Sequence, residues 1–133
     1  MRSNAWSDSP LATREGFERL VGETLDALPE LFRARLENVE VVVEEWPDRE
    51  TMQVAGVRHP AQLLGFYHGI PLPHRTHNYG LVLPDKISIY RQPILRRCRS
   101  WEEVRELVQR VVQHEIAHYF GIDDERLGEL GAY

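Results

Sequence analysis

Cysteine is nearly absent from this chain of 133 residues, since Cys98 is the only one. No intrachain disulfide can form, which excludes the disulfide-stabilised secreted miniproteins and is compatible with a reducing compartment. No apolar run approaches the ~18 residues of a membrane span, and the first eight residues contain no apolar signal core. We therefore expect a cytoplasmic protein without a membrane partner.

Basic residues are scarce relative to acidic ones, with 16 Lys and Arg against 21 Asp and Glu and a formal net charge of −5. Nucleic-acid binders normally carry a basic excess, so the composition disfavours a nucleic-acid partner. The charges also cluster in two segments, which we interpret as two solvated surfaces rather than partner-specific patches. The acidic segment contains Glu37, Glu40, Glu44, Glu45, Asp48 and Glu50, and the basic segment contains Arg91, Arg96, Arg97 and Arg99.

The chain is long enough for one domain and too short for two. A length of 133 residues with 42% hydrophobic content allows a substantial core without disulfides. It leaves little room for a cofactor-binding domain beside a substrate domain. We predict a flexible N-terminal tail over residues 1–12 and a single domain over residues 13–133.

Hydrophobic periodicity changes along the chain and predicts both helices and strands. Apolar residues recur at helical spacing over about 12–28, and Pro29 suits the first turn of a second, short helix. Alternating patterns then predict strands near 39–46, 64–69 and 87–90, with a loop rich in Pro, Gly and His between the last two.

The most regular pattern is a helix that follows Ser100. Ser100 and Glu103 have the spacing of a capping box, in which the serine caps the helix and the glutamate reaches back. Gly121 supplies a helix stop, and a short helical segment from Asp124 to Leu130 can follow. The apolar stripe of the helix consists of Val104, Leu107, Val108, Val111 and Val112.

This helix ends in the motif H-E-x-x-H-x-x-G-x-x-D, which begins at His114. Residues four apart on a helix are displaced by only ~40° around its axis, so His114 and His118 can bind one cation together. Glu115 lies ~100° from His114, which we expect to be too far round for a third ligand but suitable for addressing a metal-bound water. Glu115 also falls on the apolar stripe, where a nearby cation would offset the cost of a buried carboxylate.

A tetrahedral zinc ion held by two imidazoles needs a third protein ligand. Gly121 can take a positive φ and turn the chain, so that Asp124 can return its carboxylate to the ion. The fourth position would stay open for water, as in catalytic sites. Asp124 could instead only cap the final helix, in which case Asp123, Glu125 or a water would complete the site. Since imidazole binds metal only when neutral, and its reference pKa is ~6.5, the motif predicts metal loss at acid pH.

The remaining candidate groups have no obvious partners in the sequence. His74 and His77 lie in the predicted loop, where no helix aligns them, and we expect a loop surface rather than a second metal site. His59 and His68 stand alone. Cys98 lies among arginines that could lower the pKa of its thiol, but no catalytic base is evident near it.

The segment from His114 to Asp124 resembles the zincin signature in its metzincin-like form. Over about residues 13–130 the chain is similar to the minimal zincins, a small bacterial family of predicted zinc peptidases with a matrix-metalloprotease-like domain. The similarity includes Leu28-Pro29, the valine-rich strand, and the segments 65–72 and 84–91. The resemblance implies a compact α+β fold, in which a small mixed sheet packs against helices that include an active-site helix.

The same resemblance implies a zinc metallopeptidase that acts on a peptide or protein substrate. It implies that zinc is bound by His114, His118 and Asp124 and that Glu115 is the general base. Unlike the metzincins, the chain has no methionine after the motif to form a methionine turn, since its only methionines are Met1 and Met52. The group that stabilises the oxyanion could be Tyr79, Tyr119 or Tyr133.

Two other functions remain open from the sequence. One is a non-catalytic metal-binding interaction module derived from a peptidase fold, which the missing methionine turn favours. The other is a metal-dependent endoribonuclease, because bacterial enzymes that process ribosomal RNA use a related site of spacing H-x3-H-x5-H. The glutamate after the first histidine, the final aspartate and the negative net charge favour peptide over RNA.

Overall fold

The structure is a computed structural model, and it describes residues 12–36, 38–69 and 85–121. Several sequence predictions lie outside these described residues: the N-terminal tail, most of the loop between the second and third strands, and the helical segment after Gly121. The candidate residues outside the described ranges are Asp123, Asp124, Glu125, His74, His77, Tyr79 and Tyr133.

The described residues form an α+β fold of five helices and one three-stranded sheet, which confirms the predicted fold class. Within the described ranges, no helix has both the length and the apolar character needed to cross a membrane. The helices are α1 (Arg14–Asp26), α2 (Glu30–Arg35), α3 (Arg49–Ala55), α4 (Arg91–Arg96) and α5 (Trp101–Tyr119). The strands are β1 (Val39–Glu44), β2 (Gly65–His68) and β3 (Asp85–Tyr90).

Two short helices, α3 and α4, were not predicted. The ends of α3 do carry local signals, because the Asp48 side chain accepts a 2.7 Å hydrogen bond from the backbone N–H of Thr51 and Gly56 ends the helix with a φ of 75°. In contrast, α4 begins directly after β3 without a side-chain cap. Helices of six or seven residues contain too few turns for a hydrophobic period to be recognised.

The sheet is mixed, and its strand order is β1-β3-β2. β1 pairs in parallel with β3, from Val39 opposite Asp85 to Glu44 opposite Tyr90. β2 pairs with the other edge of β3 in the antiparallel direction. The central position of β3 explains why nearly all its side chains are buried, including that of Ser88.

Helix α5 packs against α1 and β2 and contributes one side of the core. Ser100 caps it as predicted, since its Oγ accepts a 3.1 Å hydrogen bond from the N–H of Glu103. The Glu103 carboxylate reaches one residue further back than a capping box requires, and accepts a 2.8 Å hydrogen bond from the N–H of Arg99. The buried face of α5 consists of Val104, Val108, Val111, Val112, Glu115, Ile116 and Tyr119.

The acidic and basic segments are not simply two solvated surfaces, because they contact each other. Glu45 accepts hydrogen bonds of 2.7 Å from Arg91 and 3.0 Å from Gln92. Desolvation disfavours the ionised carboxylate, but these hydrogen bonds and the charge of Arg91 outweigh it and lower the pKa of Glu45. The Arg96 guanidinium also lies 5.0 Å above the ring of Trp46. The interpretation as two solvated surfaces is therefore wrong for these residues.

Candidate metal centre

The last two turns of α5 bring His114, Glu115 and His118 together. The two imidazole rings lie with their centroids 4.5 Å apart. One potential ligand atom from each of the three residues can be chosen so that all lie within 4.8 Å of one another. The predicted alignment of the two histidines on one side of the helix is therefore confirmed.

Glu115 lies on the buried face of α5, as the apolar stripe predicts. Its side chain is 7% exposed, and its Oε1 lies 3.4 Å from Nδ1 of His118. The expectation that Glu115 is too far round the helix to join the two histidines is not borne out, because its carboxylate belongs to the same group of ligand atoms. Its reach alone therefore does not decide whether Glu115 is a ligand or a base.

The donor atoms fit a zinc ion. Two imidazoles and a carboxylate are the nitrogen and oxygen ligands that zinc takes. A carboxylate that is almost fully buried is costly unless a cation or hydrogen bonds compensate it, and an ion between the histidines would do so. Beyond the helix, Gly121 has a φ of 84°, which confirms its predicted positive φ. Asp124, the predicted third ligand, lies outside the described residues.

Gly65 supports the metal centre from the sheet, and sequence analysis did not single it out. A Cβ atom at this position would lie 2.7 Å from Cγ1 of Val111 and 3.2 Å from Cγ of Glu115. The start of β2 therefore passes so close to α5 that only glycine fits without movement of these side chains. The available signal was a glycine within a strand pattern, which often indicates close approach of another element.

Substitution of Gly65 by alanine should both destabilise the protein and disturb the metal centre. The added methyl group must displace Val111 or Glu115, and such overpacking costs about 1–3 kcal/mol. We expect a lower melting temperature and weaker zinc binding, measured by calorimetry on the purified variant.

Gly22→Ala is a matched control for this experiment. Gly22 lies within α1, and an added Cβ atom would meet no atom within 4 Å. Since alanine favours a helix over glycine by about 0.5–1 kcal/mol, this variant should be slightly more stable. Equal changes in melting temperature and in zinc binding for Gly65→Ala and Gly22→Ala would contradict the close packing of Gly65 against α5.

Tyr119, a candidate for stabilising the oxyanion, is engaged elsewhere. Its side chain is 3% exposed, and its hydroxyl donates a 3.0 Å hydrogen bond to the carbonyl of Arg35 at the end of α2. Its ring also packs edge-to-face against Tyr67, whose hydroxyl donates a 2.8 Å hydrogen bond to the buried Asp85. Tyr119 thus connects α5 to the sheet and to α2, which argues against a role in catalysis.

The suggestion that neighbouring arginines could lower the pKa of the Cys98 thiol is wrong, and the structure agrees with the absence of a catalytic thiol at this position. Burial raises the pKa of its thiol to about 11, and the negative charge of Glu103 acts in the same direction. The neighbouring arginines do not overcome these effects. A thiol with so high a pKa is almost entirely protonated at neutral pH, which excludes it as a nucleophile there.

His68 has partners that the sequence did not reveal, although they do not make a catalytic pair. Its Nε2 lies 3.0 Å from Oγ of Ser88, and the Ser88 hydroxyl donates to the carboxylate of Glu44. Because this hydroxyl is committed to Glu44, His68 cannot take its proton as a base would. Burial lowers the pKa of His68, so the imidazole stays neutral to lower pH than a free one.

Comparison with known proteins supports the metal centre. A family model described as "Zincin-like metallopeptidase" matches residues 36–132, about three-quarters of the chain. The match includes both histidines, Glu115 and Gly65. No curated protein matches the sequence.

Proposed function

Because the chain belongs to the zincin-like metallopeptidase family, we propose that it is a zinc-dependent peptidase that hydrolyses peptide bonds. The observation that carries this proposal is the grouping of His114, Glu115 and His118 on α5, with potential ligand atoms within 4.8 Å of one another. The burial of Glu115 supports it, since an inward-facing carboxylate has a clear use beside a cation and a substrate.

In this proposal His114 and His118 hold the zinc ion, and Asp124 completes the set of protein ligands. When bound, zinc supplies a Lewis acid that polarises the peptide carbonyl and lowers the pKa of water from 15.7 to about 7. Both histidines lie on α5, whose buried face packs in the core from Val104 to Tyr119, so the helix would hold the two zinc ligands in place relative to Glu115.

Glu115 acts as the general base in the proposed reaction. Its carboxylate accepts a proton from the attacking water and then donates that proton to the nitrogen of the leaving amine. Its position against Gly65 holds the side chain between helix and sheet, which limits its freedom and keeps its oxygens near the histidines.

The substrate class is also part of the proposal. A net charge of −5 and the family match support a peptide or protein substrate over RNA. We include a cytoplasmic location in the proposal, with which a single buried thiol is compatible.

The proposal is tested by measuring zinc content and peptide hydrolysis on the same sample. Protein purified without chelator should contain about one zinc ion per chain and should cleave members of a broad peptide library. A chelator should abolish cleavage, and added zinc should restore it, because the histidines cannot promote hydrolysis without the ion. Failure to bind zinc at pH 7.5 would contradict the proposal, whereas full zinc occupancy with no cleavage would favour the non-catalytic interaction module.

A further inference from the structure

A small cleft opens directly beside the proposed catalytic group. Its volume is about 140 Å³, and both His114 and Glu115 form part of its wall. The start of β2 and the segment before it form another part. One cation, Arg97, also lines the cleft, although it follows α4 and is far from the metal motif in sequence.

Unlike Arg91 and Arg96 of the same segment, Arg97 has no partner for its charge among the described residues. Arg91 pairs with Glu45, and Arg96 lies over the ring of Trp46. Among the described residues, none forms an ion pair or a side-chain hydrogen bond with the exposed guanidinium of Arg97. Its backbone is nevertheless fixed, because its N–H donates to carbonyl groups at the end of α4.

The chemistry of the cleft favours an anionic group of limited size. A guanidinium stays charged at every physiological pH and binds carboxylates through two parallel hydrogen bonds. Leu63, Leu64 and the buried Gly65 also line the cleft. A volume of about 140 Å³ has room for a carboxylate with its adjoining carbon atoms.

We propose that Arg97 is a specificity residue that binds a carboxylate of the substrate next to the scissile bond. The carboxylate could be the C-terminus of a peptide or the side chain of Asp or Glu. Since both Arg97 and Glu115 line this one cleft, a carboxylate bound there lies beside the bond that Glu115 acts on. The effect of Arg97 on the choice of substrate rests on the proposed peptidase function, whereas the binding of a carboxylate by Arg97 does not require catalysis.

Binding is measured first on the metal-free protein, so that the probe cannot attach to zinc. The probes are N-acetyl-dialanine as the free acid and as the amide, and N-acetyl-aspartate amide beside N-acetyl-asparagine amide. By NMR titration, at least one acid should bind about tenfold more tightly than its neutral partner, and Arg97→Gln should remove the difference. Arg99→Gln, which removes a neighbouring exposed arginine outside the cleft, should leave the difference unchanged.

Cleavage is then measured with zinc-loaded protein on peptides that differ only in the same carboxylate. Wild type should cleave the acidic member with a kcat/KM about tenfold higher, and Arg97→Gln should lose this preference. Arg99→Gln should keep the preference of wild type.

Equal binding of acid and neutral probes by wild type would overturn the role of Arg97, whatever the peptidase activity. An acid preference that survives in Arg97→Gln would also overturn it. Carboxylate binding that depends on Arg97 without cleavage of any peptide would instead refute the peptidase function and leave the binding site established.

Discussion

Replacement of Glu115 by glutamine should lower peptide hydrolysis by about 10²–10⁴-fold while zinc remains bound. The amide has nearly the same shape as the carboxylate, so the packing against Gly65 is preserved. It cannot accept the proton of the attacking water, and this loss acts on kcat more than on KM. The measurement is the steady-state rate on a cleavable peptide at matched zinc occupancy, with zinc determined by mass spectrometry.

Glu106→Gln is a suitable control, because it makes the same chemical change at an exposed position of α5 outside the metal group. It should leave both the rate and the zinc content at wild-type values. Equal cleavage by wild type and Glu115→Gln would refute the role of Glu115 as a base. A large loss of zinc in Glu115→Gln would instead identify this carboxylate as a ligand, which its place within 4.8 Å of the histidine atoms makes a real alternative.

Replacement of His118 by alanine should weaken zinc binding by on the order of a hundredfold or more. Residues that only hydrogen-bond to a metal ligand already contribute about 10–100-fold to metal affinity, and a direct ligand should contribute at least as much. The His118 side chain is 29% exposed, so its removal should not create a large cavity in the core. Zinc affinity is measured by competition with a chromogenic chelator, and the melting temperature of the metal-free variant checks the fold. His59→Ala, which removes an exposed imidazole outside the metal group, should bind zinc normally.

The same assay identifies the third ligand. Asp124→Asn should weaken zinc binding to a similar degree, because an amide is a much poorer zinc ligand than a carboxylate. Asp123→Asn and Glu125→Gln are the matched comparisons. A normal affinity in Asp124→Asn together with a loss in either neighbour would move the assignment to that neighbour, and wild-type affinity in His118→Ala would refute the metal centre as a whole.

Helix α5 could be predicted from sequence because all its signals are local. The cap at Ser100, the apolar stripe and the stop at Gly121 lie within one segment, and the structure reproduces each of them. The same holds for the histidine pair, since residues four apart on a helix always share a side. The burial of Glu115 follows from the same wheel.

Features that depend on distant segments could not be predicted. The parallel pairing of β1 with β3, and the place of β3 between the two other strands, depend on which strands meet in space. The importance of Gly65 arises only when β2 is laid against α5. Likewise, Arg97 was one of four basic residues in a charged segment until the fold placed it in the cleft with Glu115.

The reach of the Glu115 side chain shows a further limit of sequence reasoning. A helical wheel describes the direction in which a side chain leaves the helix, but not where its terminal atoms lie after several rotatable bonds. The carboxylate therefore joins the two imidazoles despite its rotation of ~100° about the axis. Geometry therefore does not decide whether Glu115 is a zinc ligand or the general base. The zinc content and the cleavage rate of Glu115→Gln, measured as described above, distinguish the two roles.

The central place of β3 has a consequence for the order in which this protein is assembled during synthesis. Both β1 and β2 hydrogen-bond to β3 and not to each other, so within the described sheet neither has a strand partner until β3 has left the ribosome. Translation proceeds from the N-terminus, and α5 follows β3 in the chain. The helix with the histidines is therefore the last described element to be synthesised, so the histidine pair of the proposed zinc site is made only after all three strands of the sheet.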